Sequence, residues 1–329
     1  MRAIRYAAYG PPDVLKVLEV DPPVPGPHDV LVRVRAASIN PLDDHYLRGT
    51  PYLARAATGL FQPKGGLGAD LSGQVESVGR AVTRFQPGDE VFGGRGTSTD
   101  DRSAAFAQYA CFREDAVLLV KPAGLTFEQA AAVPVAALTA LQGLRDAGRL
   151  RDGQSVLVNG AAGGVGTFAV QVAKALGAGV TAVCGTGNVE LVRALGADRV
   201  VDYTAEDFTA SGRYDLVLDM IGNRTFAEFR RILAPRGALV AVGRAVARDQ
   251  LVSPVLRPVG MAVVSAFVSE RLVPFLCRNR RDDLVTVRDL LESGHVRPVV
   301  DRTYPLERAR EALAYFERGH VRGKVVLTV

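Results

Sequence analysis

Cysteine is scarce in this chain, and its spacing excludes several kinds of site. The 329 residues contain three cysteines, Cys111, Cys184 and Cys277, which lie far apart and form no CxxC pair. A disulfide framework would leave one of them over, and a cysteine-based metal site needs closer spacing. This usage is typical of a reducing compartment, and we therefore predict a cytoplasmic protein.

Long hydrophobic runs and concentrated charge are missing as well. The first six residues lack the apolar core of a signal peptide, and Pro134 and Arg257 interrupt the most apolar later stretches, so we predict neither a secretory signal nor a membrane span. The net charge of +5 comes mainly from arginines scattered among acids, which argues against nucleic acid as the main ligand. A hydrolase is disfavoured because no Gly-x-Ser-x-Gly motif occurs.

The most informative segment present is a glycine-rich turn. The apolar strand 156–158 leads into it, and a helix of regular apolar spacing follows until Gly177. Glycines allow the turn to be tight and let the backbone approach a phosphate, which the free N–H groups at the helix start attract. The alternative is a purely structural turn. The residues predicted to contact a dinucleotide are Ala162, Gly163, Gly164, Val165 and Gly166.

The residue pattern changes twice along the chain. Short β-rich pieces such as 14–20 and 30–36 alternate with proline and glycine turns at first. Thr126 and Gln129 then form a capping-box pattern before a helix at 130–144, which Pro134 must kink or delay. From Ser155 strands and helices alternate, which predicts a doubly wound parallel sheet. The tail predicts helices near 283–293 and 306–319, and strands at 296–300 and 324–329.

Several motifs together resemble one known family. They are Ser38-Ile39-Asn40-Pro41-Leu42-Asp43, Gly68-Ala69-Asp70-Leu71-Ser72-Gly73, Phe85-Gln86-Pro87-Gly88-Asp89-Glu90-Val91, Leu195-Gly196-Ala197-Asp198 and Gly323-Lys324-Val325-Val326. The chain resembles the medium-chain dehydrogenase/reductase superfamily, in its zinc-free quinone oxidoreductase branch that includes zeta-crystallin. The resemblance implies an α/β protein with a GroES-like β-rich catalytic domain (1–121 and 269–329) and a doubly wound Rossmann domain (122–268). It also implies an active site in the cleft between them and, we predict, a homodimer.

The resemblance also bears on zinc. Zinc alcohol dehydrogenases of this superfamily hold the metal with a cysteine, a histidine and a second cysteine. Here Asn40 and Ala69 stand at the first two positions, and residues 132–134 offer no cysteine. Zinc needs nitrogen or sulfur ligands at close distances, so we predict no metal site. Asp70 is then expected to be a structural hydrogen-bond acceptor.

NADPH is the predicted cofactor. NAD-specific sites place an acid at the end of the second Rossmann strand, whereas residues 184–188 contain none before Glu190. We predict that Thr186, Asn188 and Tyr203 bind the 2′-phosphate, with Arg193 or Lys324 as charge partners. The resemblance places Thr139 beside the nicotinamide, and Gly243 is also predicted to contact the cofactor. The alternatives are a strand-end aromatic for Tyr203 and a buried helix threonine for Thr139.

Without zinc, the hydride acceptor must be conjugated. Quinones and α,β-unsaturated carbonyls spread the developing charge onto an oxygen that hydrogen bonds can stabilise. Asn40 is predicted to orient the substrate or the nicotinamide ribose, unless it is only a turn residue. Tyr46 and Tyr52 are candidate proton donors, and residues 53–65 are either a pocket lid or plain packing. Alternative functions are an enoyl-thioester or enone reductase and a nucleotide-binding protein with a structural or RNA-related role.

Overall fold

A computed structural model describes residues 1–50, 52, 55–95, 98–242 and 268–329. Its strands are β1 (Arg2–Arg5), β2 (Lys16–Glu19), β3 (Asp29–Ser38), β4 (Asp70–Val78), β5 (Glu90–Gly94), β6 (Tyr109–Arg113), β7 (Leu118–Val120), β8 (Ser155–Asn159), β9 (Gly179–Cys184), β10 (Arg199–Asp202), β11 (Tyr214–Asp219), β12 (Leu233–Val242), β13 (Arg271–Phe275), β14 (Val300–Pro305) and β15 (Lys324–Thr328). Its helices are α1 (Pro41–Arg48), α2 (Arg55–Thr58), α3 (Phe127–Ala131), α4 (Pro134–Gln142), α5 (Gly164–Ala175), α6 (Val189–Ala194), α7 (Phe226–Ile232), α8 (Arg281–Glu292) and α9 (Ala309–Glu317). None of the helices in these ranges has the length and apolarity needed to span a membrane.

The chain divides into two compact units. Unit 1 comprises Met1–Ala136, Asn279–Glu292 and Pro298–Val329, and unit 2 comprises Ala137–Arg278 and Ser293–Arg297. These boundaries differ from the 121/122 and 268/269 boundaries expected from the sequence. One reason is that α3 packs on β3 and β4 of unit 1. Another is that Gln171 Nε2 donates to the Arg297 carbonyl at 3.0 Å, within unit 2.

Unit 1 is built on a seven-stranded sheet of order β14-β15-β3-β4-β5-β7, with β6 paired to β3. Along β3 the buried residues alternate with more exposed ones, as a half-buried strand requires. The core includes Val32, Val34, Leu71 and Phe106, all fully buried. The sheet joins both ends of the chain, because β15 pairs antiparallel with β3.

Unit 2 is a six-stranded parallel sheet of order β10-β9-β8-β11-β12-β13. Relative to chain order this is 3-2-1-4-5-6, the doubly wound order of dinucleotide-binding sheets. The order reverses between β8 and β11, and ligands of such sheets bind at the carboxyl ends of the strands there. The predicted doubly wound parallel sheet is therefore confirmed.

Most predicted elements are present, with two corrections. The capping box exists, since Gln129 N donates to Thr126 Oγ1 at 3.2 Å. Of the two alternatives predicted for Pro134, the delayed start is observed, because α4 begins at this residue after the short α3. The strand predicted at 296–300 is wrong for 296–299, because Pro298 has no N–H and Arg297 N donates instead to Gln171 Oε1. The strand β14 begins only at Val300. Strand β13, which lies at the edge of the parallel sheet, was not predicted.

Candidate active site

The glycine turn of unit 2 lies where the strand order reverses. Gly160 follows β8 with a φ of +92°, and α5 starts at Gly164. A Cβ atom at Gly166 would lie 2.1 Å from the Gly160 carbonyl oxygen, so only glycine lets the helix start this close to the turn. A Cβ atom at Gly163 would meet nothing nearer than 3.5 Å. The space beside Gly163 is therefore open.

This open space fits a pyrophosphate. Gly163, Gly164 and Val165 are partly exposed, whereas Ala162 and Gly166 are buried. The first N–H groups of any helix have no acceptor within the helix, and the helix dipole makes them attractive to anions. The residues predicted from the sequence therefore form a cradle that fits the phosphates of a nicotinamide dinucleotide.

A pair of buried polar residues ties together the two strands beside this cradle. Asn159 Nδ2, at the end of β8, donates to Asp219 Oδ1, at the end of β11, at 2.9 Å. The same Asp219 oxygen accepts from the backbone of Ile221 and Gly222. The sequence interpretation missed this pair. The available signal was an acid at the end of an apolar strand.

An acid that the sequence did not reveal lies beside the end of β9, at the end of the neighbouring strand β10. Thr186 Oγ1 and Thr204 Oγ1 are 2.8 Å apart, and Thr204 Oγ1 donates to Asp202 Oδ1 at 2.8 Å. Hydrogen bonds from Thr186 and from Thr204 hold the pKa of Asp202 below its ordinary value. A charged carboxylate from β10 thus stands beside Thr186, although residues 184–188 contain no acid. This weakens the reasoning that predicted NADPH.

The other predicted cofactor residues are placed as follows. Tyr203 is half exposed and lies beside Gly185. A Cβ atom added to Gly185 would lie 3.1 Å from the Tyr203 hydroxyl oxygen. The Oδ1 atom of Asn188 is buried and accepts no hydrogen bond within the part of the chain described. Thr139 is buried in α4. Gly243 lies outside the described residues.

In unit 1, Asn40 and Lys324 meet in a buried polar cluster with Asp70. The register of β15, β3 and β4 brings the three residues to one end of the sheet. Lys324 Nζ donates to Asn40 Oδ1 at 2.5 Å and to the Ile39 carbonyl at 3.0 Å, and lies 3.8 Å from Asp70 Oδ2. Asn40 Nδ2 donates to Asp70 Oδ2 at 2.9 Å. We call these three residues the lysine cluster.

The lysine cluster satisfies its own polar atoms. Asp70 Oδ2 also accepts from Ser38 Oγ, and Oδ1 accepts from the Val135 backbone at the start of α4. Burial raises the pKa of the Asp70 carboxyl and lowers that of the Lys324 amine, and the charge of each group opposes the shift of the other. The amine of Lys324 is thus committed to this cluster, which differs from the predicted role as a charge partner of the adenosine phosphate. The amide of Asn40 is committed as well.

The donor set of the lysine cluster does not fit zinc. Both oxygens of Asp70 are engaged by hydrogen-bond donors, and the neighbouring cation is the Lys324 ammonium. A metal ion there would meet an amide and one carboxylate where zinc prefers sulfur and nitrogen, and it would be repelled by the ammonium. Asp70 is a structural acceptor, as the sequence suggested.

The two predicted proton donors have different surroundings. Tyr52 is 43% exposed, and the Arg55 guanidinium lies 4.7 Å from its ring centroid. Tyr46, in α1, is half buried, and burial raises the pKa of its hydroxyl while the nearby charge of Arg95 lowers it.

The buried carboxyl of Asp43, close to Tyr46, was not predicted as part of the site. Asp43 accepts from the backbone of Asn40 and Gly68, both at 2.8 Å, and burial nevertheless raises the pKa of its carboxyl to about 6. Arg95 is buried near it, and its side chain donates to the carbonyls of Gly66 and Asp100. Asp43 appeared in the sequence only as part of the Asn-Pro motif, and no local pattern indicated Arg95.

The predicted lid segment is only partly described. Leu53 and Ala54 lie outside the described residues, and α2 covers Arg55–Thr58. Tyr9 hydroxyl donates to the Gly59 carbonyl at 2.6 Å, which ties this segment to the first part of unit 1. Leu60 and Phe61 are exposed, so these two side chains do not pack in the core. A lid role for them stays a prediction.

Comparison with known proteins identifies the family. Residues 26–141 match the alcohol dehydrogenase GroES-like domain, and residues 195–327 match the zinc-binding dehydrogenase family. The mouse mitochondrial NAD(P)H oxidoreductase RTN4IP1 is 34% identical over 98% of this chain and 87% of its own length. The chain belongs to the medium-chain dehydrogenase/reductase superfamily, in its quinone oxidoreductase-like branch. The family resemblance and the predicted GroES-like and Rossmann fold class are confirmed.

Two further relatives agree with this assignment. The 2-methylene-furan-3-one reductase of Solanum lycopersicum is 35% identical over 99% of this chain and 79% of its own. The solved quinone oxidoreductase of Coxiella burnetii is 32% identical, with a TM-score of 0.87 over 100% of this chain and 99% of its own. This member of the superfamily is therefore an NAD(P)H-dependent oxidoreductase of the quinone-reductase type.

Substitution of Gly163 tests the cradle. We expect Gly163→Ala to fold with an unchanged thermal midpoint and to bind NADPH at least about tenfold more weakly, because the added methyl occupies space that phosphate needs. Gly166→Ala serves as the contrast, since its methyl collides with the turn and lowers stability too. Thermal melts and calorimetric titration measure both effects. Wild-type affinity in Gly163→Ala would contradict the assignment.

The lysine cluster makes a prediction about stability. We expect Lys324→Met to lower the free energy of unfolding by about 3–5 kcal/mol, because it leaves the Asp70 charge buried without its partner. The double variant Lys324→Met/Asp70→Asn should lose less than the sum of the two single variants. Urea denaturation of the four proteins provides the comparison. Simple additivity would mean that the two side chains do not interact.

Proposed function

We propose that the enzyme transfers hydride from NADPH to a quinone or an α,β-unsaturated carbonyl compound without zinc. The observation that carries the proposal is the lysine cluster. This cluster lies at the position that corresponds, by resemblance, to the zinc site of alcohol dehydrogenases. There Lys324 neutralises the charge of Asp70, and the oxygen atoms that could bind a metal already accept hydrogen bonds. An acceptor that needs a strong Lewis acid is disfavoured there.

Conjugated acceptors suit such an enzyme. Hydride addition to a quinone or an enone places the developing charge on an oxygen that hydrogen-bond donors can stabilise. The names of two relatives, a quinone oxidoreductase and a 2-methylene-furan-3-one reductase, support the same two substrate classes. Enoyl-thioesters share the conjugated carbonyl and are included in the second class.

The cofactor, when bound, supplies the hydride. The turn at Gly163 would hold its phosphates, and Thr139 is proposed to lie beside the nicotinamide. Thr186, Asn188 and Tyr203 would bind the adenosine end. Asp202 stands beside Thr186, and its negative charge opposes a 2′-phosphate. We propose that NADPH is still preferred, because residues 184–188 contain no acid, and that the charge of Asp202 keeps this preference over NADH small.

Tyr52 is the proton donor that we propose for enone reduction. Its ring is exposed and is oriented by the Arg55 guanidinium, which lies 4.7 Å from the ring centroid. Tyr46 is the second candidate, but burial makes its hydroxyl a weaker acid. Quinone reduction needs no single acid at a carbon atom, so the two substrate classes should depend on Tyr52 differently.

The thiols support a reducing compartment. Burial raises the pKa of Cys111 and of Cys184 to about 11, which keeps both thiols protonated, and neither of these two buried cysteines forms a disulfide. We propose the cytoplasm on this basis, although the mouse relative is named as mitochondrial. A homodimer is proposed from the family resemblance.

A cofactor oxidation assay tests the proposed reaction. We expect EDTA-treated protein to oxidise NADPH with quinones and enones but not with simple aldehydes. Enone turnover should fall at least about tenfold in Tyr52→Phe, the loss typical of a missing general acid, while quinone turnover changes little. Absorbance at the NADPH band measures both.

The same assay can contradict the proposal. Turnover of aldehydes alone, lost on EDTA treatment, would mean that a metal is required. Tight NADPH binding without any turnover would favour the nucleotide-binding alternative. Full enone turnover by Tyr52→Phe would remove Tyr52 from the mechanism.

Asp202→Asn tests cofactor preference. We expect kcat/KM for NADPH to rise severalfold with little change for NADH, because the amide keeps the bonds from Thr204 but carries no charge. Glu206→Gln, which removes a nearby charge outside this network, is the matched control. An unchanged NADPH to NADH ratio in Asp202→Asn would show that Asp202 does not face the phosphate.

A further inference from the structure

Unit 2 has a second concave site, at the edge of its sheet opposite to the glycine turn. The amino ends of β8, β11, β12 and β13 are neighbours there, and a cavity of about 200 Å³ lies among them. Four arginines line it, Arg149, Arg151, Arg236 and Arg271, together with Asp215 and Gln154. We call this site the arginine pocket. Cofactors of doubly wound sheets bind at the carboxyl edge, so this pocket is separate from the dinucleotide site.

The charges of the arginine pocket are poorly compensated. The ion pairs between arginines and carboxylates in the described part of unit 2 involve other arginines, such as Arg145, Arg193 and Arg230, and none of the four that line this cavity. Asp215 is the one acid in the lining, and its Oδ2 atom already accepts from the backbone and hydroxyl of Ser155, at 2.8 and 2.9 Å. Like charges brought together in this way repel one another, and an anion between them would relieve the repulsion that solvent leaves unscreened. Burial and the charge of Arg149 lower the pKa of Arg271 accordingly.

Arg271 is held in place by the backbone, whereas the side chains of the other three arginines are exposed to solvent. Arg271 Nη2 donates to the Ala147 carbonyl at 2.8 Å, which fixes one guanidinium at the cavity wall. Arg149 and Arg236 have φ values of +56° and +63°, in the left-handed region that glycine adopts far more readily. Two of the three non-glycine residues with positive φ in the described chain thus lie in this one small cavity. A side chain kept at a strained position suggests that the side chain itself is used.

We propose that the arginine pocket binds a compact multivalent phosphate anion, of the size of inorganic phosphate or pyrophosphate. Guanidinium groups bind phosphate oxygens through paired N–H donors, and several of them around one small cavity favour a multiply charged ligand over a single carboxylate. The volume suits a small anion and excludes a whole dinucleotide. The occupied pocket would link the amino ends of four strands and thereby stabilise unit 2.

Calorimetric titration tests this proposal. Pyrophosphate, and in a second arm inorganic phosphate, is titrated into the full chain saturated with NADPH, which keeps the anion out of the dinucleotide cradle. The test variant is Arg149→Gly/Arg236→Gly, since glycine suits both backbone conformations and should not impair folding. The control is Arg33→Gln/Arg80→Gln, which removes the same net charge from exposed positions of unit 1. A further variant, Arg151→Gln, leaves the backbone unaltered.

We expect saturable binding of at least one anion to wild type and to the control, weakened at least about tenfold in the double glycine variant and severalfold in Arg151→Gln. Absence of saturable binding to wild type would overturn the proposal. So would equal weakening in the control, which would reflect net charge alone. Binding that survives in both pocket variants would place the anion elsewhere, including the dinucleotide cradle if NADPH does not occupy it.

Discussion

The burial of the Lys324 charge next to Asp70 and Asn40 is the constraint on which unit 1 depends. Lys324 belongs to the last strand, Asn40 precedes α1, and Asp70 begins β4, so the cluster joins segments that are far apart in the chain. The desolvation of both charges is costly and is offset only when every donor and acceptor is satisfied. The carbonyl of Ile39, the hydroxyl of Ser38 and the backbone of Val135 provide the remaining partners. If any of these segments were misplaced, a charged group would be buried without a partner.

This constraint also connects the fold to the chemistry. A lysine, an amide and one saturated carboxylate leave no set of free ligands for zinc in the lysine cluster. The conjugated hydride acceptor that we propose agrees with this donor set, because conjugation provides the charge stabilisation that a Lewis acid would otherwise supply.

The two ends of the parallel sheet in unit 2 carry different charged and polar groups. At the carboxyl edge, the backbone N–H groups of the glycine turn would attract a phosphate, while the charge of Asp202 would oppose a further phosphate near Thr186. At the amino edge, four arginines stand together with one engaged carboxylate. The chain therefore has a modest net charge that conceals strong local fields of both signs. Composition alone suggested an evenly mixed surface, since it averages over these edges.

The sequence by itself determined the local elements and the family. The glycine turn, the capping box at Thr126 and the alternation of strands and helices depend on neighbours within a few residues, and they are present as predicted. Only the tertiary structure decided which distant residues meet. It brings Asp202 to Thr186 across adjacent parallel strands, Lys324 to Asn40 across antiparallel ones, and four separate arginines to one cavity. Strand pairing sets these contacts, and pairing between distant segments leaves no periodic or local signal in the sequence.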